Sequence, residues 1–240
     1  MSTLFISDLH LKPDAPHLSR ILLELLAGAA TGVDALYVLG DLFDAWPGDD
    51  DTADPFNAPV ISAFRALSDR GIPLYFQHGN RDFLLGAEFA RATGGKLLAE
   101  ELVVDLHGTR TLLMHGDQLC TDDVAYQQFR AQLRNPVWQQ ALLRQPLAAR
   151  KHLARQLREG SDAAKSGKNM DIMDVNADTV ATAFRRHDVT RLIHGHTHRP
   201  ARHIHLVDGR DRERIVLADW RDAGAYLEVD AGGGVAHTIE

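Results

Sequence analysis

The sequence contains very little cysteine, since Cys120 is the only one among 240 residues. A single thiol has no partner within the chain, so an internal disulfide is excluded and a reducing cytoplasm is compatible with the sequence. Apolar runs long enough to cross a bilayer are also missing, and we therefore expect a soluble protein. The first residues lead into a predicted strand without a basic and then a long apolar stretch, so we expect no secretory signal.

An overall excess of basic residues is absent as well, because the formal net charge is −7 at pH 7. This charge argues against nucleic acid as a partner. The charge is unevenly distributed, however, since residues 130–168 contain nine Lys or Arg against two acidic residues. A basic segment in an acidic chain indicates an anionic partner that binds at one place.

The sequence does contain polar residues directly after several short apolar segments that are typical of buried strands. Residues 3–7 are followed by Asp8 and His10, and a predicted helix then leads to a second strand that ends in Gly40-Asp41. Such a strand–helix–strand unit implies parallel pairing, so Asp41 is expected near Asp8. Later strand ends carry further metal-type ligands, namely Asn80, His115, His196 and His198.

The remaining pattern predicts one domain, residues 1–240, with a helical insertion at 121–174 that is broken by Pro136 and Pro146. Residues 96–114 alternate with period two and are expected to add hairpin strands to the sheet. The tail after the last ligand is expected to close a second sheet with antiparallel strands. His194 is expected to be a packed structural residue. Residues 57–70, 84–92 and 175–186 are predicted to form helices, and residues 74–77 are predicted to form a strand.

Residues 45–59 form a predicted loop that contains three consecutive aspartates, Asp49, Asp50 and Asp51. These carboxylates are able to bind a cation, but a solvated loop is the interpretation that we favour.

The strand ends together supply more ligands than one tetrahedral zinc requires, and no thiolate is among them. Two cations that share a carboxylate account for this number, and mixed nitrogen and oxygen ligands suit Mn, Fe or Zn. Such a pair activates water and stabilises a phosphoryl group, which predicts hydrolysis of a phosphoester or phosphoanhydride. Taken singly, these residues also fit a helix cap, a left-handed turn or a structural zinc pair. The candidate metal ligands are Asp8, His10, Asp41, Asn80, His115, His196 and His198.

The ordered motifs resemble those of the calcineurin-like metallophosphoesterases over nearly the whole chain. The resemblance implies an α/β fold, a four-layer α/β/β/α sandwich, and two Mn²⁺ per chain as cofactors. It implies that Asp41 bridges the two metals, with Asp8, His10 and His198 on one and Asn80, His115 and His196 on the other. The motifs that carry it are Asp8-x-His10, Gly40-Asp41-x-x-Asp44, Gly79-Asn80-x-Asp82, His115-Gly116-Asp117 and Gly195-His196-x-His198.

The sequence departs from the family motif at one position, because Arg81 occupies the place where many members have a histidine. This difference limits which members the chain resembles most. Arginine is no general acid near neutral pH, but its planar fork suits a phosphate oxygen. Through Arg81 and residues 115–123 and 172–176, the chain is similar to members that hydrolyse the diphosphate of UDP-linked diacylglucosamine in lipid A biosynthesis. This implies attack by a metal-activated hydroxide, with UMP and 2,3-diacylglucosamine 1-phosphate as products. The implied catalytic residues are Asp41, Asn80, Arg81 and His196, and the implied substrate contacts are Asn80, Arg81, Asp123, Ser161, Lys165, Lys168 and His196.

Under this resemblance, the insertion is expected to act as a lid that holds acyl chains. We also expect peripheral association with an anionic membrane surface, the cytoplasmic side of the inner membrane. An ordinary helical hairpin with packed leucines is the alternative. The expected apolar groove consists of Trp138, Leu142, Leu143, Leu147, Leu153 and Leu157, with Arg144, Arg150, Lys151 and Arg155 toward lipid headgroups.

Two other functions remain open from the sequence. A soluble metal-dependent phosphodiesterase or nucleotidase on the same fold uses the same motif set. A non-enzymatic scaffold is the other alternative, although a scaffold has no need of seven ligands.

Overall fold

The structure is a computed structural model that describes residues 2–166, 172 and 174–239, with the backbone alone for residues 159 and 161–166. In this part of the chain, two mixed sheets pack face to face and helices cover both outer faces. The predicted four-layer α/β/β/α sandwich is therefore confirmed. Among the described helices, none combines the length and the apolar character needed to span a bilayer.

The first sheet grows from the predicted strand–helix–strand unit, and its strands β1 to β4 pair in parallel. Pro16 is the first residue of the first helix, a position whose N–H group would have no hydrogen-bond acceptor within the helix. The third helix begins at Ala87 rather than at residue 84, because residues 82–86 form a turn. The elements are β1 (Thr3–Ile6), α1 (Pro16–Ala27), β2 (Ala35–Leu39), α2 (Asn57–Asp69), β3 (Leu74–Gln77), α3 (Ala87–Thr93) and β4 (Lys96–Leu97).

The second sheet begins with a hairpin. From the sequence, we expected this hairpin to join the first sheet. β5 (Glu101–Leu106) and β6 (Thr109–Met114) pair antiparallel, and β6 then pairs in parallel with β7 (Arg191–His194). β8 (Ala201–Val207) and β9 (Arg210–Val216) complete the order β5-β6-β7-β9-β8. Period-two alternation predicts a strand but does not say which sheet it joins, so the expected placement was wrong.

The end of the chain corrects a second expectation. β10 (Gly224–Asp230) pairs antiparallel with β1, and β11 (Gly233–Ile239) pairs with β10, so both belong to the first sheet. The tail therefore divides between the sheets instead of closing only the second. Leu227 and Val229 of β10 are buried between the two sheets, and this burial favours the pairing with β1.

Alternation along the central strands separates three apolar layers. Leu4 and Ile6 of β1 face α1 and α2, whereas Phe5 points into the layer between the sheets. In β7, Ile193 shares that middle layer and Leu192 packs outward with Phe184 of α7 (Ala177–His187). Each such fully buried side chain contributes roughly 1.5–3 kcal/mol, so the register of these strands is strongly specified. Asn176 caps α7, because its side chain accepts the backbone N–H groups of Asp178 and Thr179.

Between β6 and α7, the described residues form three α-helices, namely α4 (Val124–Leu133), α5 (Pro136–Leu143) and α6 (Leu147–Ser166). The predicted breaks at Pro136 and Pro146 are confirmed. Arg150 of α6 is only 4% exposed and binds Asp50 and the carbonyl oxygen of Pro47. Lys151 lies 2.6 Å from Asp51 Oδ1. The expectation that Arg150 and Lys151 face lipid headgroups was wrong, because a buried cation needs fixed anionic partners.

The solvated-loop interpretation was wrong for Asp49 and Asp51, whose carboxylates bind protein groups, whereas Asp50 is 56% exposed and pairs with Arg150. Asp49 accepts hydrogen bonds from the backbone N–H groups of Gly86 (2.9 Å), Glu88 (2.9 Å) and Phe89 (3.0 Å) at the start of α3. Asp50 binds Arg150 and Asp51 binds Lys151, both near the start of α6. Protein donors, rather than a metal ion, therefore occupy these carboxylates.

Candidate active site

The segments after β1 and β2 continue side by side, and this brings the first predicted ligands together. The backbone N–H of Asp8 donates to the carbonyl oxygen of Gly40 (3.1 Å), and that of His10 donates to the carbonyl oxygen of Asp41 (3.0 Å). Asp82 fixes the second segment from the other side by accepting the N–H groups of Asp41 (3.2 Å) and Leu42 (2.8 Å). Both segments are thus held at one edge of the sheet.

Unusual backbone conformations are concentrated at this edge. Eight non-glycine residues in the described part of the chain have a positive φ, and five of them are predicted metal ligands. An L-residue adopts this conformation at a cost, and it persists only where the surrounding structure enforces it. The concentration marks a functional site independently of residue type. The five are Asp8 (56°), His10 (47°), Asp41 (53°), His196 (67°) and His198 (55°).

Two glycines allow the ligand-bearing segments to approach closely. A Cβ at Gly79 would lie 2.0 Å from Asp41 Oδ1, and one at Gly195 would lie 2.0 Å from Ser7 Oγ and 2.1 Å from Asp8 Oδ2. Any side chain at these two positions would therefore displace the carboxylates. The glycines of two predicted motifs are needed for packing of the site itself.

The structure brings all seven candidate ligands together in overlapping groups. Ligand atoms of Asp8, His10 and His198 lie within 4.8 Å of one another, as do those of Asp8, Asp41 and His115. Asn80 Oδ1 lies 3.2 Å from His115 Nε2 and 3.0 Å from the Nδ1 atom of His196. The strand ends from both halves of the chain therefore meet, as the sequence predicted.

The orientation of the histidines fits a bound cation. His198 Nδ1 lies 3.2 Å from Asp219 Oδ2, and the ring's Nε2 lies 3.3 Å from the Nε2 atom of His10. A carboxylate that holds the Nδ1–H leaves the lone pair on Nε2. Once Nε2 has lost its own proton, its lone pair points at a second ring nitrogen, an arrangement that a cation between them would satisfy.

His115 provides a second test of the same kind. Its Nδ1 lies 2.8 Å from the carbonyl oxygen of Leu39, which only accepts, so the proton is on Nδ1. Its Nε2 lone pair then faces Asn80 Oδ1, another acceptor. Two acceptors at 3.2 Å repel each other unless a second ring proton or a cation lies between them, so the neutral ring fits a metal ion.

The electrostatics of the buried carboxylates point the same way. Burial raises the pKa of Asp41 to about 6, and the negative charges of Asp82 and Asp8 add to the rise. Burial opposes ionisation of Asp8 too, but the close approach of His198 and the other histidines holds its pKa well below the usual range. Burial also works against a charged His198, yet Asp219 and Asp8 raise its pKa to about 9. Asp8 and, above about pH 6, Asp41 are thus ionised, and their carboxylate oxygens are available to a divalent cation.

Three residues that support the ligands were not assigned a role from the sequence. Ser7 Oγ donates to Asp8 Oδ2 (2.6 Å), Asp82 fixes the Asp41 segment, and Asp219 holds His198. Asp219 follows β9 by three residues, so it carries the same signal as the other ligands, a carboxylate after a strand end. The signal was missed because the tail reads as ordinary antiparallel strands.

A cavity of about 780 Å³ opens beside these ligands. Arg81 and Asp123 line it, as do Leu142, Leu153 and Leu157 of the predicted apolar groove. Trp138, Leu143 and Leu147 do not line it, and Trp138 instead packs near Phe83, with ring centroids 6.1 Å apart. Sequence reasoning missed the cavity-lining residues of α4, although their helical spacing signals them: Tyr126, Phe129 and Leu133.

Some predicted substrate contacts fall where side chains are not described. Ser161 and Lys165 lie in α6 with the backbone alone described, and Lys168 lies outside the described residues. Asp123 caps α4, because its Oδ1 accepts the backbone N–H of Tyr126 (3.0 Å). His194 is buried as predicted, between the carbonyl oxygen of Gly195 (2.8 Å) and Arg214 Nη1 (3.1 Å).

Comparisons with known proteins agree with this site. The family model of the calcineurin-like phosphoesterases matches residues 1–200. A UDP-2,3-diacylglucosamine hydrolase of Stenotrophomonas maltophilia (strain K279a) is 50% identical, over 100% of this chain and 99% of that protein. One of Aromatoleum aromaticum (strain DSM 19018 / LMG 30748 / EbN1) is 52% identical, over 97% of this chain and 95% of its own length.

A solved structure supports the fold alone. An archaeal phosphodiesterase superposes with a TM-score of 0.51 and 13% identity, over 100% of both chains. The family model covers more than half of the sequence, and the two bacterial relatives match over nearly their full lengths. The chain therefore belongs to the calcineurin-like phosphoesterases.

Proposed function

We propose that this protein hydrolyses the diphosphate of UDP-2,3-diacylglucosamine, releasing UMP and 2,3-diacylglucosamine 1-phosphate in lipid A biosynthesis. The observation that carries the proposal is a cluster of carboxylates and imidazoles that opens onto a large cavity with an apolar wall. A substrate with a charged diphosphate and acyl chains matches both halves of this arrangement. The bacterial relatives bear the name of this activity.

The proposed cofactors are two divalent cations, Mn²⁺ in our proposal, with Asp41 as the shared ligand. Asp8, His10 and His198 would hold one ion, and Asn80, His115 and His196 the other. When bound, such ions lower the pKa of a coordinated water and neutralise developing phosphoryl charge. Mixed carboxylate and imidazole ligands suit manganese as well as iron or zinc.

The chain's own groups orient the diphosphate. The backbone N–H of Arg81 donates to Asp41 Oδ1 (2.8 Å), so the Arg81 side chain starts from a fixed point at the cavity wall. Its guanidinium is suited to bind two phosphate oxygens and to offset the charge that develops on them. His196 also borders the cavity and has its ring ordered by Asn80.

We propose that residues 121–174 form a lid within the single domain of residues 1–240. Phe129, Leu142, Leu153 and Leu157 line the cavity and would contact acyl chains. Asp123 lines it as well, and Ser161, Lys165 and Lys168 are the other proposed substrate contacts. Three carboxylates of the 49–54 loop bind Arg150 and Lys151, so the first turns of α6 are anchored to that loop.

The substrate proposal is tested by comparing rates on lipidated and unlipidated diphosphates. We expect kcat/KM for UDP-2,3-diacylglucosamine to exceed that for UDP-N-acetylglucosamine and for cyclic AMP by at least about 10²-fold, because the apolar wall contacts only the lipid. Phe129→Ser should lower the rate on the lipid substrate and leave the rate on bis-nitrophenyl phosphate within about twofold. Equal kcat/KM on all three natural substrates would instead favour a soluble phosphodiesterase or nucleotidase.

Metal binding should release a proton at about pH 7.5. The pKa of His198, raised to about 9 by Asp219 and Asp8 against the effect of burial, keeps its ring protonated in the metal-free protein. A ligating imidazole must be neutral, so binding should displace about one proton per protein, and apparent affinity should rise with pH up to about 9. Calorimetric titration with Mn²⁺ in buffers of different ionisation enthalpy measures this release.

The variant Asp219→Asn provides the comparison, since it removes the charge beside His198 Nδ1. On Mn²⁺ binding, we expect Asp219→Asn to release fewer protons than the exposed control variant Asp222→Asn. Binding enthalpies that are independent of the buffer in the native protein would contradict the assignment of His198 as a ligand.

We also propose that the helical segment lies against an anionic membrane surface, on the cytoplasmic side of the inner membrane. Val124 (62%), Val137 (76%) and Leu143 (43%) are large exposed apolar residues on α4 and α5. Arg144 and Arg155 are exposed in the same segment. Apolar and basic groups together favour such a surface.

Vesicle co-sedimentation tests the membrane proposal. On vesicles that contain phosphatidylglycerol, the double variant Arg144→Gln/Arg155→Gln should bind about 30-fold more weakly, since each basic residue contributes about 1 kcal/mol near such a surface. The control pair Arg20→Gln/Arg65→Gln removes two exposed arginines of α1 and α2. The same loss in both pairs, or no binding by the native protein, would refute a specific membrane-facing surface.

A further inference from the structure

Helix α4 directs three side chains toward one buried carboxylate. Tyr126 and Arg130 of α4 and Arg134, the residue that caps the C-terminus of α4, are four residues apart and therefore lie on the same side. The Tyr126 hydroxyl donates to Asp117 Oδ2 (3.2 Å), Arg130 Nε donates to the same oxygen (2.9 Å), and Arg134 Nη2 lies 3.6 Å from it. Asp117 is 1% exposed and follows the ligand His115 by two residues.

Charge balance keeps this cluster ordered. Arg130 Nη2 donates to Glu100 Oε2 (2.8 Å), and Arg134 Nε lies 3.0 Å from Glu100 Oε1. Two guanidinium groups thus face two carboxylates, and both arginine side chains are less than 15% exposed. Glu100 is 43% exposed, so the shielded pairs are those with Asp117, which is 1% exposed. Such pairs hold their geometry more strictly than surface pairs, because separating them leaves a buried charge uncompensated.

Arg134 also reaches the loop that carries Asn80. Its Nη2 donates to the carbonyl oxygens of His78 (3.2 Å) and Gly79 (3.1 Å). From the opposite side, Asp82 Oδ1 accepts the N–H of Gly79 (2.8 Å). Arg134 therefore holds the carbonyl group of Gly79, which leads into Asn80, and Asp82 holds the N–H group of Gly79. Charge-assisted bonds of this kind are stronger than neutral ones.

The contacts of the cluster coincide with one half of the candidate metal site. Asn80 follows the clamped Gly79, and His115 precedes Asp117. The ring of Tyr126 lies over that of His196, with centroids 5.5 Å apart and planes 31° from parallel. The three ligands proposed to complete the second site with Asp41 are thus each bordered by α4 or by its partner Asp117.

We propose that Arg134, held in place by Asp117 and Glu100, is a positioning residue that sets Asn80 toward His115 and His196. Helix α4 of the proposed lid is then also part of the frame of the catalytic site. The inference rests on the proposed metal-dependent hydrolysis and assigns Arg134 no contact with substrate. It acts through the carbonyl oxygens of residues 78 and 79.

The test compares Arg134→Gln and Arg134→Lys with Gln132→Ala, an exposed control on the same helix. Mn²⁺ binding is followed by calorimetry and by the spin-coupled electron paramagnetic resonance signal of a metal pair. Turnover is measured on bis-nitrophenyl phosphate, which does not need the apolar wall. In Arg134→Gln we expect the weaker Mn²⁺ site to lose about 10–100-fold in affinity, with kcat reduced similarly and KM within about twofold. Arg134→Lys keeps a charged donor and should recover part of both losses.

The outcomes separate this inference from the proposed function. If native protein binds two Mn²⁺ and is active, and Arg134→Gln matches Gln132→Ala in metal affinity and kcat, Arg134 has only a structural role and the inference is overturned. Should Arg134→Gln not fold, Arg134→Lys decides, and values equal to those of the control overturn the inference. Native protein without Mn²⁺-dependent turnover on any phosphodiester would refute the proposed function itself.

Discussion

Replacing Asp41 by alanine or asparagine is expected to lower Mn²⁺-dependent hydrolysis by about 10³-fold or more. Asp41 is the proposed shared ligand, and its carboxylate lies with the carboxylate of Asp8 and the imidazole of His115 in one group of ligand atoms. Asparagine keeps an oxygen that can accept the N–H of Arg81, which Asp41 Oδ1 binds at 2.8 Å. The loss should therefore arise from the missing negative charge rather than from a rearranged loop. Initial rates at saturating Mn²⁺, with circular dichroism to verify folding, measure it.

The same asparagine variant should make the metal-free protein more stable at about pH 8. Burial, with Asp82 and Asp8 nearby, raises the pKa of Asp41 from 3.8 to about 6. A carboxyl whose pKa is raised on folding stabilises the fold below its unfolded value, and this stabilisation is lost as the pH rises through about 6. Above that pH the ionised Asp41 is a cost that asparagine removes, by on the order of 1 kcal/mol.

Urea unfolding in the presence of a chelator measures this difference, with the exposed Asp14→Asn as the control. Lower activity together with higher metal-free stability is the pattern that a metal ligand predicts, because the site is built for a cation. Retained turnover in Asp41→Ala with metal present would overturn the assignment of Asp41.

Gly195→Ala is expected to disrupt the site by a steric route. The new Cβ would lie 2.0 Å from Ser7 Oγ and 2.1 Å from Asp8 Oδ2, and neither atom belongs to a flexible surface chain. Relief of this overlap must move Asp8 or the segment that carries His196 and His198. We expect activity to fall by at least about 10²-fold and the free energy of unfolding to fall by about 1–3 kcal/mol.

Gly32→Ala is the matched control, because a Cβ there meets nothing within 4 Å and its φ is not positive. It should leave activity unchanged and stability the same or slightly higher. Kinetics and thermal unfolding of both variants, with and without Mn²⁺, make the comparison. If Gly195→Ala retained native activity, the close packing of the two ligand segments would be wrong.

Local sequence was sufficient to predict the central strands and to identify the seven candidate ligands that lie together in the structure. Apolar segments such as residues 35–39 bury all their side chains, and a polar residue directly after such a strand emerges at its carboxyl end. Parallel pairing then requires neighbouring ends to meet at one edge, which placed Asp8 beside Asp41. Proline positions fixed the helix breaks at 136 and 146, since proline opens a helix but interrupts its interior.

Local sequence did not predict which strands pair with each other or which partners the long polar side chains bind. The strands of the hairpin at 101–114 and β10 each joined the sheet that was not expected, because alternation is a local property and sheet membership depends on distant apolar surface. Arg150 and Lys151 were expected at a membrane surface but bind the aspartates of the 49–54 loop. Their partners lie about a hundred residues away, and no local pattern links such residues.

The sequence by itself determined which residues form the candidate centre and at which edge of the fold they lie, because strand periodicity and parallel pairing are set by near neighbours. Only the tertiary structure decided how that centre is held. The positive φ values at five ligands, the support of His198 by Asp219 and the clamp of Arg134 on residues 78 and 79 all join segments distant in the chain. Such contacts follow from close packing of segments that meet only after the two sheets have assembled.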